Sequence, residues 1–581
     1  MKNCGRWHAR GVVLAIAAAM GGTSGVANAS GGLASLSAIV PVMDCAAIAQ
    51  LDLTGVTDAP VNIQSATIIA AGTGAQPVSP SPYCLVRGTI APANTIVMRL
   101  PTHGWTQRYL QTGCGGLCGS SNIGYGQGAA CLPVRDGTIA SATTDMGHQG
   151  GGFNATWAVD NPQAQIDFAY RGMHVTAQVA KAIIAKFYGH PAQYSYFNGC
   201  SDGGREALME AQRYPDDFDG IAAGAPANDL VEQNSFHHGW NVVTNKDTNG
   251  HYILVAGKLP LIHKAVLDAC DALDGVTDGL IDDPRNCHFE PATLVCKAGQ
   301  DPGVCLTEAE AGVVRRLHDG ATDPHGRYLD QPIAHEWGSE LAWSLFIPTT
   351  ATQTAPTFSE NAALGFVRYL AYFNTYRPNF QLAELDFTVP SFWQTMQTSI
   401  YSAATDPDLT RFASRGSKLL LWHGWSDQHI TPQGTLEYYD AMQKALGPKV
   451  VDSFAKLYLF PGVTHCGGGE GPDSFDVLTP VMAWVETGTV PDEIIASKVA
   501  NNITTRSRPV FPYPTVARYL GSGSIDDPTR FVAYTPRGGP GSDSSDYNWV
   551  GKQLYSSGYQ AWCQAVGTQL VCQPSSLPFH E

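Results

Sequence analysis

Tyr194-Ser195-Tyr196-Phe197-Asn198-Gly199-Cys200-Ser201-Asp202-Gly203-Gly204-Arg205-Glu206 decides how the chain is to be read. Residues 193–198 read as a strand and 206–213 as a helix, so Gly199-Cys200-Ser201-Asp202-Gly203 is a turn between them. It is the only G-x-S-x-G match in the chain. Glycines suit a turn too tight for side chains. Such an elbow lifts the serine hydroxyl above the sheet and points the next backbone N–H, that of Asp202, at a developing oxyanion. An ordinary glycine-rich turn explains the glycines alone. The strand before and the helix after favour the elbow.

Working outward, 95–100 and 139–144 read as buried strands. Residues 162–188 read as a helix, with Val175, Val179, Ala182, Ile183 and Phe187 on one face. The order strand, helix, strand, helix implies a parallel sheet with crossovers. The alternation breaks over 230–407, which holds Trp240, Trp337, Trp343 and Trp393 among long loops. It returns with strands at 418–422 and 455–460 and a helix at 435–446. The expected fold is α/β, an α/β-hydrolase fold with a large inserted lid domain. Its first part is 30–229, the lid 230–407 and its second part 408–535. A loop-rich tail, 536–581, opens on Pro536-Arg537-Gly538-Gly539-Pro540-Gly541.

A serine hydroxyl is a poor nucleophile until a base takes its proton. In this fold class the chain order is serine, acid, histidine. His465 fits the base, in Pro461-Gly462-Val463-Thr464-His465-Cys466-Gly467 after a strand. Asp427 fits the acid, in His423-Gly424-Trp425-Ser426-Asp427 after another. Both lie just past a strand's C-terminal end, where an open α/β sheet builds its site. Most other histidines lie in helices, in the lid or in loops with no strand before them. Cys200 directly precedes the serine and Cys466 directly follows the histidine. If Ser201 and His465 share a hydrogen bond, those cysteines come within the roughly 4.4–6.8 Å that a disulfide spans between Cα atoms. A Cys200–Cys466 bridge is therefore expected.

The first 29 residues read as an export signal. Lys2, Arg6 and Arg10 precede a short apolar stretch, and Ala27-Asn28-Ala29 offers a cleavage site. The apolar stretch is too short to cross a bilayer, which needs about 20 residues. A secreted or periplasmic protein is expected, with no membrane partner. Its 14 cysteines then read as disulfides. Cys45–Cys84, Cys270–Cys287, Cys296–Cys305 and Cys563–Cys572 are the natural local pairs. Cys114, Cys118 and Cys131 form a trio able to make one bridge and leave one thiol. No fourth ligand suggests zinc there. The net charge of −16, from 35 basic and 51 acidic residues, disfavours nucleic acid as a partner.

At these residues the sequence resembles the tannase and feruloyl esterase family, which includes the mono(hydroxyethyl) terephthalate hydrolases. The likeness rests on the serine, aspartate and histidine motifs quoted above. It also rests on Thr144-Asp145-Met146-Gly147-His148, on Pro512-Tyr513-Pro514 and on Ala517-Arg518-Tyr519. It runs from about residue 40 to 530, in order. The resemblance implies the same three catalytic residues, a lid, and a second oxyanion donor in the loop Thr112-Gly113-Cys114-Gly115-Gly116-Leu117-Cys118, assigned to Gly116 N–H beside Asp202 N–H. It implies a structural calcium ion in the lid, held by Asp271, Asp274, Asp278 and the carbonyls of Val276 and Leu280. From the sequence alone, a solvated acidic turn fits that loop as well. A family disulfide has no counterpart here, where Phe511 and Ala533 stand instead.

The family acts on small aromatic esters. Its terephthalate monoesterases hold the substrate's free carboxylate with a lid arginine, and Glu360 falls at that place. A glutamate repels a carboxylate, so a neutral phenolic ester, feruloyl or galloyl, is expected, with terephthalate monoester hydrolysis the alternative. Phe373 is a candidate aromatic wall, unless its stripe is lid core. His423, with Glu360 and Phe373, completes the expected substrate-binding set. A reading of another class is a non-catalytic binding protein on a hydrolase scaffold, which would need a broken triad.

Overall fold

The computed structural model describes residues 32–536 and 547–574. The expected export signal lies outside them. Nine strands form one sheet in the order β1-β2-β3-β5-β4-β6-β7-β8-β9. They are β1 (Val61–Ile69), β2 (Tyr83–Ile90), β3 (Asn94–Pro101), β4 (Arg108–Thr112), β5 (Ala140–Thr144), β6 (Tyr194–Cys200), β7 (Gly220–Gly224), β8 (Lys418–Gly424) and β9 (Ala455–Phe460). β1, β2, β3 and β5 pair antiparallel in that order. From β5 to β9 every neighbouring pair is parallel. The fold is that of an α/β-hydrolase.

Strand side chains alternate between faces, and here both faces are covered. Leu419 and Leu421 of β8 enter one core, while Leu420 and Trp422 enter the other. That is why 419–422 reads as an unbroken apolar run, as strands covered on both faces do.

The expected helix over 162–188 is three pieces in one rod. Pro162–Ile166 is α-helical, Asp167–Arg171 is a π-helical turn, and Gly172–Tyr188 is α-helical again. Asn161 caps it, accepting from Ala164 N–H at 3.2 Å. The widened turn presents the Phe168 and Ala169 carbonyls to the Arg205 guanidinium, at 3.0 and 2.7 Å. Such bulges are common at functional sites. Here one anchors the helix that follows the serine.

That helix starts at Asp202, earlier than the expected 206. Gly203 and Gly204 are poor helix formers and hide its first turn. They are needed for close packing. A Cβ on Gly204 would stand 2.4 Å from the Gly224 carbonyl oxygen, and one on Gly203 2.9 Å from that of Cys114.

Residues 225–417 are inserted between β7 and β8 and add no strand to the sheet. They divide in two by packing. Leu254, Ile262, Val266, Trp337 and Trp343 share a core of their own, beside the Cys270–Cys287 bridge. Phe366, Leu370, Phe392 and Tyr401 instead join the main core. Phe373 belongs to this second group, its ring tilted against Tyr401 at 5.7 Å. It is partly buried and packs against the main core.

The tail also departs from expectation. It is not merely loops: Ala561–Val566 and Gln569–Pro574 form a hairpin with Cys563 directly opposite Cys572. Trp549, Leu554, Tyr555 and Tyr559 are buried in the main core. Arg213, at the end of the elbow helix, donates to the Ala561 carbonyl at 2.9 Å. The tail thus buttresses the helix that carries the serine.

All five expected disulfides form, and Cys114 pairs with Cys118. Cys131 is left free and buried, 3.5 Å from the Met482 sulfur. Among the described residues no helix is long and apolar enough to cross a membrane.

Candidate active site

Four loops meet at the C-terminal edge of the sheet, following β4, β6, β8 and β9. Ser201 stands between β6 and the helix from Asp202, with φ +67° and ψ −126°, in the positive-φ region a serine rarely occupies. Such a conformation costs about 1–3 kcal/mol and persists only where its surroundings fix it. They do so here. Ser201 N–H donates to Gly224 O at 3.0 Å, and Ser201 O accepts from Gly204, Arg205 and Ala227 N–H. A Cβ on Gly199 would lie 2.2 Å from Gly203 O, so only glycine closes the turn.

The loop after β4 is fastened to this elbow. Gly203 N–H donates to Cys114 O at 2.8 Å, and Cys114 N–H to the Glu206 carboxylate at 2.9 Å. Gly116 takes φ +61°, and a Cβ there would meet Gly152 O at 2.9 Å. The loop's far side is braced by His148. Its Nε2 lies 2.7 Å from Leu117 O, and its ring stacks on Trp157 at 3.8 Å. Burial pushes His148 down to about 4, so its ring is neutral at pH 7. Gly116 N–H and Asp202 N–H have no protein acceptor among the described residues. The Asp202 carboxylate points elsewhere, pairing with Arg205 at 2.6 Å.

Asp427 Oδ2 lies 2.7 Å from His465 Nδ1. Oδ1 accepts from His429 N–H at 2.8 Å and Ile430 N–H at 2.9 Å. Burial alone would raise this carboxyl. The His465 charge and the hydrogen bonds from His423 and His465 outweigh it and hold Asp427 well below the usual range. The two loops are also joined through backbone. Ser426 N–H donates to Val463 O at 3.0 Å, and a Cβ on Gly424 would stand 2.2 Å from that oxygen. Cys200 and Cys466 bond across 266 residues with Cα atoms 6.0 Å apart, fastening the His465 loop to the Ser201 elbow.

Two expected substrate contacts stand otherwise. His423 is fully buried behind Asp427. Its Nε2 is 3.1 Å from Asp427 Oδ2 and its Nδ1 2.8 Å from Thr435 Oγ1. It can orient the acid but cannot reach a substrate. Glu360 is not an unpaired negative charge. Lys246 Nζ stands 3.8 Å away, and Tyr252 O–H donates to it at 3.4 Å. The premise that it repels a carboxylate substrate is thereby weakened.

His429 was not singled out from the sequence, although it lies two residues beyond Asp427. Its ring meets His465 edge-on at 4.7 Å and stacks on His238 at 4.8 Å. Burial, then the His465 charge, push it well below the ordinary histidine range. Phe358, from the insertion, lies 4.7 Å from His429, and Phe153, beside the β4 loop, lies 6.1 Å away. These three rings make an aromatic wall next to the base, drawn from three distant segments. No spacing rule links them.

The acidic loop carries Asp271, Asp274, Asp278 and Asp282, with the carbonyls of Val276 and Leu280 between them, and Asp283, which pairs with Arg285. Asp282 is an addition to the expected set. Asp274, Val276, Asp278, Leu280 and Asp282 line one cavity together with Arg508, which pairs with Asp278. Carboxylates mixed with backbone carbonyls are a hard, oxygen-only donor set of the kind calcium takes. One arginine leaves their charge uncompensated, so the residues present fit the ion.

A strand-to-helix elbow bearing serine, at the same sheet edge as a hydrogen-bonded histidine and aspartate, defines an α/β-hydrolase. A sequence profile described as tannase and feruloyl esterase matches residues 84–533. The mono(2-hydroxyethyl) terephthalate hydrolase of Piscinibacter sakaiensis is 33% identical over 525 residues, covering 78% of this chain and 85% of that protein. The crystal structure of feruloyl esterase B from Aspergillus oryzae superposes with a TM-score of 0.74 at 28% identity, over 84% of this chain and 99% of that one. Tannin acyl hydrolase from Aspergillus niger shares the fold, with a TM-score of 0.69 at 20% identity over 86% and 97% of the two chains. The chain belongs to the tannase and feruloyl esterase family and is a carboxylic ester hydrolase.

Proposed function

We propose that this is an exported serine esterase that cleaves aromatic esters, with phenolic acyl groups such as feruloyl or galloyl as its preferred class. One observation carries the catalytic assignment. Asp427 and His465 are hydrogen-bonded at 2.7 Å on a loop that the Cys200–Cys466 bridge fastens beside Ser201.

In this reading His465 Nε2 takes the proton of Ser201 as its Oγ attacks the ester carbonyl. Asp427, kept ionised, fixes the tautomer and stabilises the imidazolium. Gly116 N–H and Asp202 N–H hold the oxyanion. His465 then passes its proton to the departing alcohol, leaving an acyl-enzyme. A water molecule, deprotonated by His465, releases the acid and restores the serine. Losing one oxyanion donor costs roughly 10²–10³ in rate. The wall of Phe153, Phe358 and His429 supports an aromatic acyl group. Asp271, Asp274, Asp278, Asp282 and the Val276 and Leu280 carbonyls would hold calcium, which would neutralise the loop and stiffen it. Six disulfides among the described residues support export.

Ser201→Ala should abolish p-nitrophenyl acetate hydrolysis and labelling by a fluorophosphonate probe; activity retained in that variant overturns the triad. Methyl ferulate, methyl gallate and mono(2-hydroxyethyl) terephthalate, compared by kcat/KM, test the substrate. The likeness to the Piscinibacter enzyme, with Glu360 already paired to Lys246, favours the terephthalate monoester as the second reading.

A further inference from the structure

We propose that His174, Glu210 and Asp217 form a binding site for one divalent transition-metal ion, of which zinc is the type. It would lie between the helices Gly172–Tyr188 and Asp202–Arg213, away from the reacting groups. The central observation is Glu210. Its side chain is fully buried, and among the described residues neither carboxylate oxygen accepts from an N–H or hydroxyl donor; the polar group it faces is the Asp217 carboxyl. A buried carboxylate with no donor is costly, and structures answer it with a proton or a cation.

The surroundings favour the cation. The ligand atoms of His174, Glu210 and Asp217 all lie within 4.8 Å of one another. They come from two helices and the turn that follows the second, so an ion would tie three segments together. One imidazole nitrogen with two carboxylate oxygens is a ligand set zinc uses, with water in the fourth position. Calcium and magnesium prefer more oxygens and no nitrogen. The His174 ring lies flat on Tyr214, with centroids 3.8 Å apart and planes 6° from parallel. That stacking orients Nδ1 toward Asp217, as outer groups orient metal-binding histidines. The side chains of His174 and Asp217 remain 22% and 12% exposed, which leaves the ion a way in.

Lys181 is the local competitor. Its ammonium donates to the Asp217 backbone carbonyl and stands 4.0 Å from Asp217 Oδ1. It offsets one carboxylate and makes no hydrogen bond to Glu210. His174 Nδ1 and Asp217 Oδ2 now stand 2.5 Å apart. Tetrahedral ligation at about 2.0–2.1 Å per ligand would part them to roughly 3.3 Å, a shift within reach of two partly exposed side chains.

The test uses the full chain, stripped with EDTA, resupplied with saturating calcium, and titrated with zinc chloride by calorimetry. Zinc content after desalting is measured in parallel. The expected result is one zinc per chain. Its affinity should fall at least tenfold in His174→Ala and in Glu210→Gln, while both variants hydrolyse p-nitrophenyl acetate as the parent does. That activity shows they are folded, and it keeps this outcome separate from any failure of the esterase assignment. No stoichiometric zinc in the parent, or equal binding in parent and variants, overturns the site. A parent that binds none, with Glu210→Gln at least as stable, identifies instead a proton shared between Glu210 and Asp217.

Discussion

Removing the Cys200–Cys466 bridge by Cys200→Ala/Cys466→Ala should cost both stability and rate, in amounts the structure sets. The bond closes a loop of 266 residues. The bridges Cys270–Cys287 and Cys296–Cys305 lie within it and shorten the free path, to about 240 residues. Chain entropy for a loop of that size amounts to about 5.5 kcal/mol, whereas losses on removing native bridges run at roughly 2–5 kcal/mol. With an unfolding entropy of about 2.1 cal/mol/K per residue, a chain this long should lose about 2–5 °C in Tm. The His465 loop would keep other ties. Gln127 Nε2 donates to Cys466 O at 3.1 Å, and Ser426 N–H holds Val463 O. The loop should therefore loosen without leaving. A displacement near 1 Å costs on the order of 10²-fold, so kcat/KM should fall about 10–100-fold. Scanning calorimetry gives the first quantity, and p-nitrophenyl acetate hydrolysis well below Tm gives the second. A double variant with the parent's kcat/KM would refute the view that the bridge positions the base, whatever its Tm.

Three further outcomes are expected. Leucine at His423 removes a hydrogen bond to a buried carboxylate, worth about 1.5–3 kcal/mol. His423→Leu should lower kcat about 10–150-fold with KM within threefold, and a change confined to KM would return His423 to substrate binding. His148, held near 4 by burial, has its folded value depressed below the ordinary 6.5. Its contribution to stability is whole above about pH 6.5 and is lost as pH falls toward 4, by up to about 1.4 kcal/mol per pH unit. Urea midpoints should therefore drop more between pH 7 and 5 in the parent than in His148→Gln, and equal drops would count against it. His263 has the opposite sign. Burial opposes its charge, but the interactions its ring N–H groups make with the accepting Glu340 and Glu470 carboxylates prevail and raise it to about 9. Its contribution is whole below about pH 6.5 and is lost as pH rises through 9, so His263→Gln should flatten the alkaline side of the stability curve, measured by urea melts from pH 7 to 10.

Much of the fold was legible because short-range chemistry wrote it. The elbow is spelled by a strand, two glycines and a helix in one stretch, and its neighbours Gly203 and Gly204 obscured only where the helix begins. The strand ends at 422 and 460 located the Asp427 and His465 loops, since a parallel sheet gathers such loops at one edge. Cysteines adjoining Ser201 and His465 mark the two loops as neighbours, and the Cys200–Cys466 bond joins them. The π-helical turn at Asp167–Arg171 left no trace in periodicity, because its purpose is to meet Arg205 far along the chain.

Sequence by itself determined the α/β class, the elbow, the two loops that hold acid and base, and the cysteine pairs that sit close in the chain or beside those loops. These are properties of a residue and its near neighbours. Tertiary structure alone decided that His423 stands behind Asp427, that Glu360 is matched by Lys246, that Phe373 tilts against Tyr401, and that Phe153, Phe358 and His429 share a wall. It alone brought the tail hairpin under Arg213 and set Glu210 beside His174 and Asp217. The physical reason is that periodicity records which face of an element is covered, while the identity of the covering partner depends on where distant elements are carried by the fold.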